Sequence, residues 1–248
     1  MPCSPACLLV SLLATLLPAP SAPQEPKPAP SATAPAAAPA TAPAPTNPQA
    51  PLPPRERPRP ADAKALLAAF ARMPGLEATY TEEKRLALLA LPLQSKGRIL
   101  FLPPGYLFRA VEAPEPATLR ITPDELRTQD RDRQEVVDLK RSDTVRLFVT
   151  SLVQVFAGNE AVLQKAFTVA FTPDATNVRA WSLELQPKEK QLAQLMKSLV
   201  LRGEGEVVTT IEVIDPNGDR TTTRIVTADV ARTFDAAERK RWFGIEPK

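Results

Sequence analysis

PLQSKGRILFLPPGYLFRAVEAPEPATLRIT, residues 92–122, is the stretch that decides the fold of this chain. Its short runs of branched and aromatic residues are separated by Gly97, by Pro103-Pro104-Gly105 and by Pro114-Glu115-Pro116. Runs of about five such residues, broken by Pro and Gly, are typical of antiparallel strands joined by tight turns. The stretch therefore predicts a sheet meander, and such a sheet must bury its apolar face against another element.

The strand pattern continues on both sides of this stretch. Strands are predicted at residues 76–86, 95–102, 106–113, 117–122, 125–130, 134–139, 167–172, 178–185, 198–202, 206–214 and 220–228. The last two form a hairpin, because Asp215-Pro216-Asn217-Gly218 fits a type I turn with Gly218 in the left-handed region. Helices are predicted at residues 62–73, 144–157, 160–165 and 190–196. In the second helix, apolar residues recur at spacings of three and four with no charge among residues 148–158, so we expect it to be buried on more than one side.

The composition excludes several kinds of chemistry. The chain has no His, and its two cysteines, Cys3 and Cys7, lie at the extreme N-terminus. Without these residue types in the folded part we expect no Ser-His or Cys-His nucleophile, no zinc site, no disulfide and no cofactor. After residue 60 the chain has 27 basic and 26 acidic residues, which argues against a nucleic acid as partner.

The N-terminal part is predicted to direct export. Residues 8–17, LLVSLLATLL, are uncharged and apolar, and small residues follow them, so residues 1–22 are interpreted as a signal peptide. Residues 23–60 contain fourteen prolines and no aromatic residue, which predicts a disordered Pro/Ala-rich linker. If the signal is cleaved, this linker is a solvated tail. If it is retained, the linker is a tether to the inner membrane that reaches at most ~120 Å.

A set of short motifs, in this order, resembles the LolA family of periplasmic lipoprotein carriers. The motifs are Gly97 with Leu100-Phe101, Pro104-Gly105, Arg146-Leu147-Phe148, the strand 167–171, Trp181-Ser182-Leu183-Glu184-Leu185-Gln186-Pro187 and Gly218-Asp219-Arg220-Thr221. The resemblance implies a mainly β fold with α, a curved, unclosed antiparallel barrel or sheet covered by helices. It assigns residues 61–232 to the lipid-carrier domain and leaves 233–248 as a C-terminal tail.

The resemblance also implies a function without catalysis. A carrier of this kind binds the acyl chains of lipoproteins or another lipidic cargo in an apolar cavity and shuttles them through the periplasm toward the outer membrane. Its partners would be the amphiphile, an inner-membrane donor and an outer-membrane acceptor, and it would act as a monomer. Pro103 stands where the best-known carriers have Arg, and residues 91–97 are more similar to a branch associated with pigment or lipid export, so the cargo can differ.

Eight apolar residues are the candidates for the lining of the cavity, with the helix 144–157 as its lid. They are Phe101, Tyr106, Phe108, Phe148, Leu152, Phe156, Trp181 and Leu183. Taken singly, each fits an ordinary place in a core better than a contact with cargo, since strands and amphipathic helices put apolar residues inside whatever the function. Trp242 and Phe243 either pack back on the sheet or contact a membrane or partner.

Other interpretations of the charged residues stay open. Arg109 and Arg120 could meet a cargo headgroup at the cavity mouth or be solvated strand residues. The chain could also be a related sheet domain that senses lipid or serves as a scaffold for a membrane-protein partner. A hydrolase using the Asp124 and Glu125 carboxylates is the weakest interpretation, because adjacent residues on a strand point to opposite faces.

Overall fold

The computed structural model describes residues 54–246, so the predicted signal peptide and most of the linker lie outside the described residues. The strands are β1 (Leu76–Arg85), β2 (Leu93–Leu102), β3 (Tyr106–Ala113), β4 (Ala117–Ile121), β5 (Glu125–Gln129), β6 (Gln134–Asp138), β7 (Phe167–Pro173), β8 (Ala180–Pro187), β9 (Ser198–Glu204), β10 (Val207–Ile214) and β11 (Arg220–Asp229). The helices are α1 (Ala63–Ala71), α2 (Asp143–Phe156), α3 (Glu160–Ala166), α4 (Lys190–Ala193) and α5 (Ala236–Glu238), and a π-helical turn (Arg239–Phe243) follows α5.

All eleven strands form one antiparallel sheet. Their order is β6-β5-β4-β3-β2-β1-β11-β10-β9-β8-β7, so β1 and β11, the first and last strands of the described residues, pair at its centre. The edge strands β6 and β7 do not pair with each other, and the sheet stays unclosed. The predicted fold class, a mainly β, unclosed antiparallel sheet with helices, is confirmed.

Successive side chains of a strand point to opposite faces of the sheet, and both faces are covered. We name the helix face the one on which Phe101, Leu119 and Leu126 pack with α1–α4 in the larger apolar cluster. We name the C-terminal face the one on which Leu100 and Phe108 pack with the end of the chain. The sheet is therefore the middle layer between the helices and a short C-terminal segment.

The helices α1 and α2 begin for different local reasons. Asp62 caps α1 by accepting a hydrogen bond from the Ala65 backbone N–H at 2.8 Å, which satisfies one free N–H of the first turn. α2 has Ser142 before it, but the Ser142 side chain makes no capping hydrogen bond. α2 is held instead by burial, through its residues Val145, Phe148, Val149, Ser151, Val153 and Val155. Its stability comes from packing on the sheet and on the other helices.

The C-terminal segment packs on the sheet. Asp235 and Glu238 form a reciprocal capping box that starts α5. The Phe243 ring is fully buried, 5.1 Å between ring centroids from Phe234, and Trp242 lies 5.0 Å from Phe108. Of the two predicted alternatives for Trp242 and Phe243, the structure shows that both residues pack back on the sheet.

The end of the predicted linker also contacts the domain. The Glu206 backbone N–H donates to the Pro54 carbonyl at 3.0 Å, and the Arg57 guanidinium lies 2.6 Å from the Glu206 carboxylate. Gly205, with φ of 56°, allows this approach, because a Cβ there would lie 2.4 Å from the Pro54 oxygen. The segment that enters the domain is thus fixed at the β9–β10 turn.

Candidate functional site

The structure brings six of the eight predicted lining residues together. They belong to the apolar cluster of the helix face: Phe101, Phe148, Leu152, Phe156, Trp181 and Leu183. Tyr106 and Phe108 lie elsewhere, in the cluster of the C-terminal face with Phe243 and Trp242. The sheet separates these two from the other six, so one cavity cannot be lined by all eight.

The C-terminal end of α2 packs against a group of aromatic side chains. Phe156 stacks on Phe70 of α1 with ring centroids 6.5 Å apart, and it lies 5.9 Å from Phe101 of β2. Phe70 in turn lies 6.4 Å from Trp181. Phe70 was not among the predicted lining residues, although it lies in the helix predicted at 62–73. These rings join both helices to the sheet.

Next to this group the sheet opens between two neighbouring strands. β10 and β11 pair only from Thr210 to Ile214 and from Arg220 to Arg224. Beyond that point Val207 and Val208 continue with β9, while the 225–229 part of β11 continues with β1. Register shifts in both ladders accompany the divergence. We name this opening the split.

The split has space on both of its sides. Inside lies an apolar void of about 30 Å³, whose wall includes Phe70, Met73, Phe156 and Ile211. Outside lies a groove of about 340 Å³. The two spaces share Val207, Val208, Ile225, Ala228 and Val230 in their walls, so they adjoin across the split. The inner void is far below the roughly 300–1,000 Å³ of small-molecule sites.

The chain that enters the domain forms one wall of the outer groove. Pro54 and Arg55 line it together with residues of β10 and β11. Arg55 is held in place by the Glu204 carboxylate, whose oxygen lies 3.0 Å from the Arg55 Nε. The groove therefore lies where the N-terminal part of the chain joins the sheet.

Trp181 is fixed beside this region by a polar contact as well as by packing. Its indole Nε1–H donates to the Gly205 carbonyl at 2.9 Å, which satisfies the polar atom of a buried ring. Gly203 is required there, since a Cβ at that position would lie 2.2 Å from the indole. The ring thus ties β8 to the β9–β10 turn.

A buried polar cluster lies farther along the helix face. The Arg109 guanidinium donates to the Glu82 carboxylate at 2.8 Å and to the Tyr80 hydroxyl at 3.0 Å, and the Thr223 hydroxyl donates to Glu82 at 2.7 Å. Desolvation raises the pKa of Tyr80. Burial of Arg109 lowers its pKa, but Glu82 and Tyr80 outweigh this and raise it overall. Arg109 is therefore neither solvated nor at a cavity mouth.

The remaining charged candidates lie apart from the interior. The Arg120 side chain is on the C-terminal face beside Gly244, and its Nη2 lies 3.8 Å from the Glu125 carboxylate. Lys140 Nζ lies 2.7 Å from Asp124, and Arg127 Nη2 lies 3.1 Å from Glu125. The two carboxylates each pair with a basic partner rather than with each other.

The sequence itself identifies the class of protein. A family model described as outer membrane lipoprotein carrier protein LolA-like matches residues 56–242, so this chain belongs to that family. A comparison with curated proteins finds no match. In the part of the chain that the structure describes, no helix is long and apolar enough to cross a membrane.

Several solved structures align with this chain at low sequence identity. The chain aligns over 72% of its length with 94% of a putative outer membrane lipoprotein-sorting protein domain from Vibrio parahaemolyticus, at 10% identity and a TM-score of 0.42. It aligns over 70% of its length with 94% of a LolA superfamily protein from Nitrosomonas europaea, at 8% identity and a TM-score of 0.38. It also aligns over 68% of its length with 57% of the matched chain in a MucA/MucB complex of Pseudomonas aeruginosa, at 10% identity and a TM-score of 0.42.

Proposed function

We propose that this protein is a periplasmic carrier that binds the acyl chains of a lipoprotein or another amphiphile between α2 and the helix face. The observation that carries the proposal is the split, where an outer groove adjoins an apolar void beneath Phe70 and Phe156. An acyl chain that enters there meets aliphatic and aromatic side chains, with the carboxylate of Glu206 at the rim. The headgroup of the amphiphile stays outside in the groove.

Loading requires α2 to move, because the void of about 30 Å³ has room for roughly one water molecule. α2 suits such movement. Its N-terminus has no side-chain cap, and its contacts with the sheet are largely apolar, so an acyl chain can replace them without leaving a buried polar group unpaired. The empty, packed protein and the loaded protein are then two states of one equilibrium, and the cargo shifts it by binding one of them.

The proposed lining consists of the six predicted residues on the helix face, to which the void adds Phe70, Met73 and Ile211. Tyr106 and Phe108 are left out, because they support the sheet from the other face. The buried ion pair of Arg109 and Glu82 is a fixed polar boundary for the apolar interior. A cargo chain would end before this pair, since displacing it would leave a charge unpaired.

Membership of the family supports the rest of the proposal. The carrier acts as a monomer, takes its cargo from an inner-membrane donor and passes it to an outer-membrane acceptor. It binds and does not catalyse. Residues 1–22 are proposed to export it, with the inner-membrane tether as the outcome if the signal is retained.

Native mass spectrometry of the full chain, purified from the envelope fraction of its own host, tests the proposal. We expect a bound amphiphile of defined mass, which solvent extraction recovers as a lipid or lipoprotein. The emptied chain should then move labelled amphiphile from donor vesicles to acceptor vesicles separated by a membrane that only protein crosses. An empty chain that binds no added amphiphile and transfers none would refute the proposal.

A further inference from the structure

The loop between β1 and β2 is an exposed run of aliphatic residues. With the first residue of β2 it reads LALLALPL over residues 86–93 and has no polar or charged side chain; we name residues 86–93 the leucine loop. Among the described residues, the large hydrophobic side chains that lie in solvent are Leu88, Leu89, Leu91, Val136, Val178 and Val226, and the first three are in this loop. Leu88 is 97% exposed and Leu91 is 78% exposed. These three exposed leucines add nothing to the core and lower solubility, so folding alone does not account for them.

The leucine loop has a defined base. The Leu89 backbone N–H donates to the Leu86 carbonyl at 3.0 Å, which closes a turn. The Ala87 backbone N–H donates to the Asp219 carboxylate at 2.8 Å, which joins the loop to the neighbouring β10–β11 turn. With its base held at two points, the loop presents its leucines together at one end of the sheet.

That end is opposite to the split. β1 begins at Leu76, which lines the void, and ends at Arg85, directly before the loop. Ten residues of strand separate these ends by roughly 33 Å. Pro54, where the described chain begins, lies at the split, so the loop points away from the place where the N-terminal part of the chain joins the domain.

We propose that the leucine loop inserts into the surface of a lipid bilayer. A stable protein interface uses about 20–30 residues on each side, and eight residues are too few for a second copy or a flat protein partner. Protein interfaces are also enriched in aromatic residues and Arg, which this loop lacks. A bilayer needs no complementary shape and binds aliphatic side chains in proportion to the apolar area that they bury.

The charges around the loop indicate what kind of bilayer it takes. Arg85 at the end of β1 pairs with the Glu83 carboxylate at 2.7 Å, and Asp219 adds an acidic group at the base. The surroundings are of mixed sign, so attraction to anionic lipid contributes little. Binding therefore occurs on neutral phosphatidylcholine and is insensitive to salt.

A tryptophan placed in the loop of the full chain reports insertion locally. The variant Leu88→Trp is mixed with phosphatidylcholine vesicles whose acyl chains are brominated or not, and the emission of wild-type protein, which contains Trp181 and Trp242, is subtracted. The matched control is Val178→Trp, because Val178 is 77% exposed and lies outside the loop. We expect the added emission of Leu88→Trp to shift to the blue and to lose most of its intensity on brominated vesicles, while Val178→Trp does neither.

A second substitution tests whether the leucines cause the effect. Adding Leu91→Glu to Leu88→Trp should lower the vesicle partition coefficient by roughly tenfold or more, since it withdraws one apolar side chain and adds a charge. Equal quenching at both tryptophans, or none at Leu88→Trp, overturns the proposal. A blue shift of Leu88→Trp that grows with protein concentration and needs no vesicles also overturns it, because a second copy then covers the loop. These measurements report on the leucine loop and not on the split, so they can fail independently of the carrier proposal, which rests on the split.

Discussion

Truncation of Phe156 is the sharpest test of the proposal that α2 is a lid. The ring is half-buried at the end of α2, stacks on Phe70, packs at a tilt against Phe101, and lines the void. Phe→Ala in a full core costs about 3–5 kcal/mol, so at this half-buried position we expect Phe156→Ala to lower the free energy of unfolding of the empty protein by about 2 kcal/mol. For a domain of this size, that corresponds to a fall in Tm of about 4–8 °C.

Binding of a fatty acid should offset the loss of stability that Phe156→Ala causes. The lifted helix no longer holds the Phe156 ring on Phe70 and Phe101, so the substitution costs the loaded state less than the empty state. We therefore expect the variant to bind a fatty acid more tightly, by roughly tenfold, which is about 1.4 kcal/mol. Displacement of an environment-sensitive fluorescent fatty acid measures the affinity, and thermal unfolding with and without fatty acid measures the recovery of Tm.

Phe108→Ala is the matched control. Phe108 is buried on the C-terminal face against Trp242, so its truncation should cost at least as much stability as that of Phe156. It should leave the affinity for fatty acid unchanged. Unchanged affinity in Phe156→Ala, or the same change of affinity in both variants, would contradict the idea that cargo enters beneath α2.

Three further tests, using four substitutions, examine how the described contacts hold the domain together. Arg109→Met leaves the buried Glu82 carboxylate without its ion partner and should lower the urea-derived stability by about 3–5 kcal/mol; adding Glu82→Leu should restore much of it. Desolvation raises the pKa of Asp215 to about 6, against the opposing effect of Lys84, so the native state binds its proton more tightly than the unfolded chain does. The stability of wild type minus that of Asp215→Asn should therefore fall, by on the order of 1 kcal/mol after allowance for solvent screening, as the pH rises from about 4 to 6, and a flat difference would contradict this. Gly205→Ala should cost about 1–2 kcal/mol for its left-handed backbone and displace the entering chain, so trypsin should cut after Arg55 faster than in wild type.

The sequence predicted the sheet well because the turns interrupt it at regular points. Each of the eleven predicted strands has a counterpart, and the breaks at 103–105 and 114–116 lie between β2, β3 and β4, whereas Gly97 lies within β2 and does not interrupt it. The helix predicted at 144–157 corresponds to α2 within one residue at each end. Its uncharged stretch indicated burial on more than one side, and α2 does contact α1, α3 and α4.

The face to which each aromatic residue points was beyond this kind of prediction. In β3, Tyr106 and Phe108 alternate with Leu107 and Arg109, so alternation alone shows that the two pairs lie on opposite faces. Because the C-terminal segment covers the second face, both faces of β3 carry apolar residues, and no pattern says which one the helices cover. The burial of Arg109 was not predicted either. Its partner Glu82 lies 27 residues away in the chain, so the local sequence around Arg109 does not indicate the ion pair.

The packed interior is compatible with a carrier because cargo and helix compete for the same apolar surface. α2 buries five apolar side chains, Val145, Phe148, Val149, Val153 and Val155, worth about 1.5–3 kcal/mol each, or about 7–15 kcal/mol together. An acyl chain of ~16 carbons is stabilised by roughly 12 kcal/mol when it leaves water. The two amounts are similar, so exchanging helix contacts for chain contacts changes the free energy little in either direction. A chaperone that must release its load at a second membrane needs that near balance, whereas a large permanent cavity would bind too tightly to let the chain go.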